Sequence, residues 1–260
     1  MNLHLIDYFL FRNVSYVICS SFCLYLMKIN PLESLPKERS KTYWLGMIFL
    51  RAMAGNFTNL FLNAGFKFAP ISLAYIVFQT NPFWSAMIGY TFNGEVIERF
   101  TGIGMVLAFL GVCFMSWSTM KEKTVESVED PYAGTKFFGM VLELCAAFTF
   151  SIVTTVSRRL QPVSPFIVIF YMGLVGLICA FFLLTGYYIF FCESFRLVKY
   201  PIKTILYASA GGFTDMLAAL FVTIAYASGA TGFVAMLSYI VIVYAFLSDL
   251  VIFHEEFMLE

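Results

Sequence analysis

The sequence predicts an all-α polytopic membrane protein, folded as an inverted-repeat helical bundle of about eight transmembrane helices. Three observations lead to this fold class. Of the 260 residues, 60% are hydrophobic, 12% are charged, and the apolar residues fall into long runs. Soluble proteins carry about 25% charged residues, because their surfaces must be solvated. Lipid is therefore the expected surroundings of most of this chain.

Eight apolar runs reach the roughly 20 residues that a helix needs to cross a bilayer. Charged segments, prolines and glycines separate them. The first four cover 8–27, 44–66, 71–92 and 100–118, and the last four cover 137–157, 165–190, 204–226 and 230–252. We predict two halves, 1–120 and 137–260, joined by a polar loop over 121–136. Tight turns make antiparallel hairpins of the second and third spans and of the seventh and eighth.

The charge balance excludes several classes of protein. Sixteen basic and sixteen acidic residues give no net charge, so a nucleic-acid partner is not expected. The six cysteines form no CxxC pair, and we predict neither a metal site nor a cofactor. His4 and His254 lie near the two ends, so no Ser-His-Asp site can form within the membrane, and we do not expect an enzyme. Basic residues divide equally between the two sets of loops, which leaves the orientation open.

An internal repeat is indicated when the chain is shifted against itself by 160 positions. The second span then aligns with the seventh, the third with the eighth, and Glu95 with Glu255. Few residues are identical, and chance similarity of two apolar hairpins is the alternative. An offset of five crossings would insert the second copy upside down. Inverted repeats of this kind occur in many secondary transporters, whose substrate sites lie near the bilayer midplane.

Short motifs in a fixed order resemble a known family. In the first half they are Ala69-Pro70-Ile71-Ser72-Leu73-Ala74, Pro82-Phe83, Gly94-Glu95, and Gly104 with Gly111. In the second half they are Arg158-Arg159, Tyr226-Ala227, Gly229-Ala230 and Glu255. Arg12 also stands where such proteins often carry an arginine. This order resembles the EamA-type module of the drug/metabolite transporter superfamily, a five-helix unit that usually occurs twice as an inverted pair.

The resemblance implies ten helices, of which this sequence lacks equivalents of the first and the last. Either the sequence is truncated, or a shortened protein completes its fold with a partner subunit. A homodimer is a further alternative. The expected surroundings are a multi-pass position in the plasma membrane or an endomembrane. The expected ligand is a small-molecule substrate.

Polar residues in the second span form a stripe. Asn56, Asn59, Asn63 and Lys67 follow at intervals of three, four and four, which confines them to about 80° of the helix. Such a stripe should not face lipid. Arg51 lies off the stripe. It either snorkels to the headgroups or pairs structurally, or it binds an anionic substrate.

A second polar face follows in the third span, where Tyr75 and Gln79 share one side. Pro82 removes a backbone hydrogen bond and leaves the carbonyl of Phe78 without its helical donor. We therefore predict a bendable helix with an accessible acceptor, as a gating element would require.

Single acidic residues stand in the fifth and seventh spans, at Glu143 and Asp215. Either could neutralise Arg51 or titrate during transport. Glu143 could equally lie at the membrane interface. Asp215 lies deeper and follows Gly211-Gly212, which would admit a close backbone neighbour, so we expect it to be the buried functional charge.

In the eighth span, Ser238 and Tyr239 align with the third-span stripe in the repeat and complete the candidate substrate site. Packing between helices is the alternative role for Tyr239. The sequence thus predicts a secondary transporter of a small organic metabolite that works by alternating access. The alternative is a non-transporting membrane subunit or regulator that retains the transporter fold.

Overall fold

A computed structural model of the chain describes the following residues: 4–31, 33–69, 71–94, 99, 102–104, 106–107, 110–111, 114, 135–191, 200–228, 234, 240 and 244. The regular structure within these residues is helical throughout. The predicted all-α fold class is therefore confirmed.

Seven α-helices have described bounds. They are α1 (Leu5–Leu26), α2 (Lys41–Phe68), α3 (Ile71–Phe78), α4 (Asn81–Ile88), α5 (Lys136–Arg159), α6 (Pro165–Phe191) and α7 (Ile202–Ser228). Within the described residues, α1, α2, α5, α6 and α7 are long and apolar enough to cross a membrane. They confirm the first, second, fifth, sixth and seventh predicted spans. Of the predicted span 100–118 the structure describes only 102–104, 106–107, 110–111 and 114, and of the predicted span 230–252 only 234, 240 and 244.

Local sequence signals explain where these helices begin and end. The hydroxyl of Ser40 accepts a hydrogen bond from the backbone N–H of Tyr43 at 3.2 Å, which caps the start of α2. Pro165 is the first residue of α6, a position where its missing N–H is not needed. Arg158 and Arg159 occupy the last turn of α5, where positive charge complements the helix dipole.

The third predicted span is not one continuous helix. It divides into α3 and α4, with Gln79 and Thr80 between them, and a π-helical turn over Gly89–Asn93 follows. Pro82 lies in the first turn of α4, where a proline is tolerated. The π-helical turn ends at Gly94, whose φ of 68° suits a residue without a Cβ.

The chain divides into two compact units that are not the two predicted halves. Unit 1 comprises Met1–Phe57 and Val156–Ser228. Unit 2 comprises Thr58–Thr155, together with Gly229–Glu260, most of which lies outside the described residues. Each unit therefore combines sequence from both predicted halves. The division into inverted-repeat halves stays a prediction.

Unit 1 is built around α1, which packs against both α6 and α7. Its buried core combines residues from α1, α2, α6 and α7: Tyr16, Ala52, Ile169, Met172, Val175, Met216 and Leu220. A Cβ on Gly212 would come within 2.9 Å of the Cα of Arg12. The expectation that the Gly211-Gly212 pair admits a close backbone neighbour is thus confirmed for Gly212.

In unit 2, α5 packs along the interrupted third span through both apolar and polar contacts. The ring centroids of Phe78 and Phe150 lie 5.5 Å apart. The hydroxyls of Ser85 and Thr154 are hydrogen-bonded at 3.0 Å, and both side chains are buried. Hydroxyl pairs of this kind hold membrane helices together where hydrophobic attraction between helices is weak.

Gly176 of α6 provides a test of the packing in unit 1. The side-chain oxygens of Asn13 and Asn56 both occupy the space that a Cβ at this position would need. We expect Gly176→Ala to lower the free energy of unfolding by about 1–3 kcal/mol, because both amides would have to move. Thermal unfolding of the purified protein in detergent measures the effect.

Gly186→Ala is the matched control, since it lies in the same helix and nothing lies within 4 Å of a Cβ placed there. Equal melting temperatures for the two variants would contradict the described packing around Gly176.

Candidate functional site

A buried ion pair connects α1 and α7 in unit 1. The guanidinium of Arg12 contacts the carboxylate of Asp215 through Nε, and the side chain of Arg12 is 1% exposed. Its Nη2 donates to the hydroxyl of Tyr16 at 3.0 Å, and that hydroxyl donates to Asp215 Oδ2 at 3.0 Å. The three side chains thus form a closed triangle in which cation, anion and hydroxyl satisfy one another. Arg12 Nη1 has no partner among the described residues.

The structure corrects two expectations about Asp215. Its ion-pair partner is Arg12 and not Arg51. Its side chain is also 36% exposed, so it is not the fully buried charge that its position in the span suggested. The carboxylate therefore has one face against Arg12 and Tyr16 and another that is accessible.

Arg51 of α2 is buried in unit 1 with a side-chain exposure of 1%. Its Nε donates to the hydroxyl of Ser157 at 2.8 Å, its Nη2 donates to the hydroxyl of Thr223, and its Nη1 lies 3.6 Å from Met172 Sδ. The snorkelling alternative is wrong, because a snorkelling side chain would reach solvent. Structural pairing with neutral groups and binding of an anion both stay compatible with these contacts.

Asn56 and Asn13 have fixed amide orientations in unit 1. Asn56 Nδ2 donates to the backbone oxygens of Ala52 and Met172 at 2.9 and 3.0 Å. Asn13 Nδ2 donates to the backbone oxygen of Phe9 at 2.8 Å. Both side-chain oxygens face Gly176 and have no donor among the described residues. Their closeness to a glycine backbone favours weak Cα–H···O contacts and tight helix packing.

The remaining amides and Tyr75 belong to unit 2. Asn63 Nδ2 donates to the backbone oxygen of Asn59 at 2.7 Å, and both side chains are half-buried. Gln79 is 2% exposed and lies in the break between α3 and α4. The ring of Tyr75 lies 5.3 Å from that of Phe66. Ser238 and Tyr239 lie outside the described residues.

The break at Pro82 differs from the accessible acceptor that the sequence predicted. The carbonyl oxygen of Phe78 accepts a hydrogen bond from Asn81 Nδ2 at 3.1 Å. The carbonyl oxygen of Asn81 in turn accepts from the hydroxyl of Ser151 at 2.9 Å. Polar side chains therefore satisfy the interrupted backbone, as they must in a membrane. A gating role for Pro82 stays a prediction.

Glu143 of α5 is fully buried in unit 2. Neither carboxyl oxygen has a hydrogen-bond partner among the described residues. The carboxyl group lies over Gly65 of α2, where a Cβ would stand 2.8 Å from Glu143 Cδ. A buried carboxyl group without a hydrogen-bond partner is costly in such a place.

Comparison with known protein families gives one match. Residues 3–117 match the EamA-like transporter family. The match covers less than half of the 260 residues, and over that segment it confirms the resemblance to the drug/metabolite transporter superfamily. The matched segment includes α1, α2, α3 and α4, and therefore Arg12, Arg51 and the helix break at 79–80.

A crystal structure of a protein superimposes on this chain with a TM-score of 0.67. The superposition covers 96% of this chain and 81% of that chain at 17% sequence identity, so it supports the fold alone. The sequence matches no curated protein significantly. Among the residues that the structure describes, five helices are long and apolar enough to cross a membrane, and together with the family match they support an integral multi-pass membrane protein.

Several partners within unit 1 were not predicted from the sequence. Arg12 was noted only for its place in the resemblance, and Tyr16, Ser157 and Thr223 were not selected. Arg12 did carry a signal, because an arginine within an apolar run is rare unless it is paired. The hydroxyl residues carried none, since serine, threonine and tyrosine are common in membrane helices.

A double-mutant cycle tests the ion pair of unit 1. Asp215→Asn alone should destabilise the protein, because the buried guanidinium of Arg12 loses its counter-charge. Adding Arg12→Met should recover part of the loss, with a coupling energy of about 1–3 kcal/mol in thermal or denaturant unfolding.

The exposed Lys203 near the start of α7 serves as the control partner for this cycle. Lys203→Gln should combine additively with Asp215→Asn. A coupling energy near zero between Arg12 and Asp215 would contradict the described contact.

A second cycle tests the packing of Glu143. Gly65→Ala should lower the free energy of unfolding by about 1–3 kcal/mol, because the added methyl group collides with the carboxyl group. Glu143→Ala in the same background should relieve the collision.

Gly46→Ala in the same helix is the control, because a Cβ there meets nothing within 4 Å. If Gly65→Ala were as stable as Gly46→Ala, the carboxyl group of Glu143 would not lie over Gly65.

Proposed function

We propose that this protein is a secondary transporter that moves a small organic metabolite across the membrane by alternating access. One observation carries the proposal. The Arg12–Asp215–Tyr16 triangle lies halfway along two spanning helices, since Asp215 is the middle residue of α7 and Tyr16 is next to the middle of α1. Substrate sites of secondary transporters lie near the bilayer midplane.

The energetic cost of placing charged side chains inside a membrane supports a functional role for the Arg12–Asp215–Tyr16 triangle. A charged side chain at the centre of a membrane helix costs about 2.5–3.5 kcal/mol on insertion scales. Apolar residues would fill the same space at no such cost, and replacing buried ion pairs by apolar residues is often stabilising. The 36% exposure of the Asp215 side chain leaves the triangle accessible on one side. A solute can therefore reach it.

The interrupted third span supports the same function from unit 2. Discontinuous helices near substrate sites are frequent in secondary transporters, where they supply backbone groups and points of bending. Beside the break at Gln79 and Thr80, the side chain of Asn81 donates to the carbonyl oxygen of Phe78, and the hydroxyl of Ser151 donates to the carbonyl oxygen of Asn81. Pro82 in the first turn of α4 is the proposed gating residue.

Arg12, Tyr16, Arg51, Asn56 and Asp215 are the proposed substrate contacts of unit 1. In unit 2 we propose Asn59, Asn63, Tyr75, Gln79 and Glu143, each to be tested on its own. Ser238 and Tyr239 stay proposals from the repeat.

Uptake by proteoliposomes that contain the purified full chain tests the function. A panel of labelled metabolites should include at least one solute with saturable, protein-dependent flux. Asp215→Ala should reduce that flux at least tenfold, since it removes the anion of the triangle, and Asn59→Ala and Gln79→Ala should reduce it to a lesser degree. Lys203→Ala, on the exposed face of the same helix as Asp215, is the control and should leave flux unchanged.

Unchanged flux in Asn59→Ala, Gln79→Ala and Asp215→Ala would refute the site assignment. No flux for any solute, together with a protein that co-purifies in fixed ratio, would favour the non-transporting subunit instead.

A further inference from the structure

We infer that the transported metabolite is an organic anion, and that Arg51 binds its carboxylate or phosphate group. This inference rests on the proposed transport function and adds the substrate class and a specificity-determining residue. Its starting point is the side chain of Arg51 in unit 1, which meets no opposite charge among the residues that the structure describes.

Arg51 and Arg12 differ in how their charges are compensated. Both side chains are 1% exposed. Arg12 contacts the carboxylate of Asp215, whereas the contacts of Arg51 among the described residues are two hydroxyl groups and a thioether. Within the described residues, the guanidinium of Arg51 therefore meets neutral groups and no carboxylate.

The neutral contacts of Arg51 cannot supply the missing charge. The hydroxyl of Thr223 donates to the backbone oxygen of Ala219 at 2.6 Å, so it offers Arg51 only a lone pair. The thioether of Met172 is a weak acceptor. These groups orient the guanidinium without neutralising it, and an ionised group buried in this way is strongly disfavoured unless an anion joins it.

Three other charged side chains of unit 1 have hydrogen-bond or ion-pair partners other than Arg51. Asp7, at the start of α1, accepts a hydrogen bond from the hydroxyl of Tyr200 at 2.7 Å. Arg158, in the last turn of α5, donates to the backbone oxygen of Ala227 at 3.0 Å. Asp215 is held by Arg12 and Tyr16. None of these contacts brings a carboxylate to Arg51.

The chemistry of the guanidinium selects the ligand. Its planar array of N–H groups matches carboxylates and phosphates, which accept two parallel hydrogen bonds. Nη1 and Nη2 have donor capacity beyond their present contacts, since the two nitrogens together carry four N–H bonds. A substrate anion that replaced the hydroxyl of Thr223 would both fill this capacity and cancel the charge. The fully buried Arg51 described here corresponds to a state closed to the substrate.

The position of Arg51 fits a site on the substrate's route. It stands ten residues after the first residue of α2, which is about 15 Å along the helix, and its partner Thr223 stands five residues before the last residue of α7. Tyr16 of the Arg12–Asp215–Tyr16 triangle and Met172, which contacts Arg51, belong to the same buried cluster. An anion bound at Arg51 would thus share this cluster with the triangle.

Flux through proteoliposomes of the full chain tests the inference with four matched solutes of similar size: a carboxylate, a phosphate monoester, an amine and a neutral alcohol. We expect flux for the carboxylate, the phosphate monoester or both, and competition only from other anions. Flux restricted to the amine or the alcohol would overturn the anion inference and leave the transport function intact. Absence of all flux would overturn the proposed function itself.

Variants of Arg51 then test whether this residue binds the transported anion. Arg51→Gln should reduce anion flux at least tenfold and abolish competition by other anions. Arg51→Lys, which keeps the charge but loses the planar geometry, should retain more flux with a raised KM. Arg39→Gln is the matched control, because it removes an exposed arginine that stacks on Tyr43, and its anion flux should equal that of the wild type.

Anion flux with unchanged KM and kcat in both Arg51 variants would show that another residue binds the anion. Size-exclusion profiles and thermal midpoints of each variant distinguish lost binding from lost folding. If Arg51→Gln does not fold, the KM of Arg51→Lys still tests the role of Arg51. The solute selectivity of the wild type still tests whether the substrate is an anion.

Discussion

The ion pair between Arg12 and Asp215 links α1 to α7 in unit 1. A guanidinium inside membrane-crossing helices requires an opposite charge, and here the charge comes from another helix. That requirement fixes α1 against α7, and Gly212 lets the two backbones come close enough for the contact to form. Tyr16 completes the arrangement by bonding both charged groups. On the side of α1 that faces α6, Gly176 leaves room for the buried side-chain amides of Asn13 and Asn56.

Each unit also buries an ionisable side chain, within a membrane-crossing helix, that meets no opposite charge among the described residues. In unit 1 it is Arg51, held by hydroxyl groups, and in unit 2 it is Glu143, held against Gly65. Such groups are costly in a membrane and persist where they serve a ligand or a proton. The contrast with the paired Arg12 shows that the fold can supply a counter-charge. At Arg51 the described part of the chain supplies none, which is why we propose that the counter-charge arrives with the substrate.

The sequence predicted the spanning helices well, because the length of an apolar run and the charges that bound it are properties of the chain itself. The predicted run 44–66 became α2, and 204–226 became α7. It predicted Pro82 as a point of weakness but not the complete break, since the capping of Phe78 by Asn81 depends on local geometry. It could not predict that Asp215 pairs with Arg12, because that choice depends on which helices become neighbours. Glu143 shows the same limit, since burial over Gly65 depends on the packing of α5 against α2.

The most direct test of this account is the stability of Arg51→Met without any substrate. If Arg51 is present for a ligand, removing its charge should leave the free energy of unfolding unchanged or raise it, while anion flux is lost. The hydroxyl of Thr223 keeps its bond to Ala219, so the substitution leaves no new unsatisfied donor there. A loss of about 3 kcal/mol or more, as expected for a side chain that holds the fold together, would contradict the account.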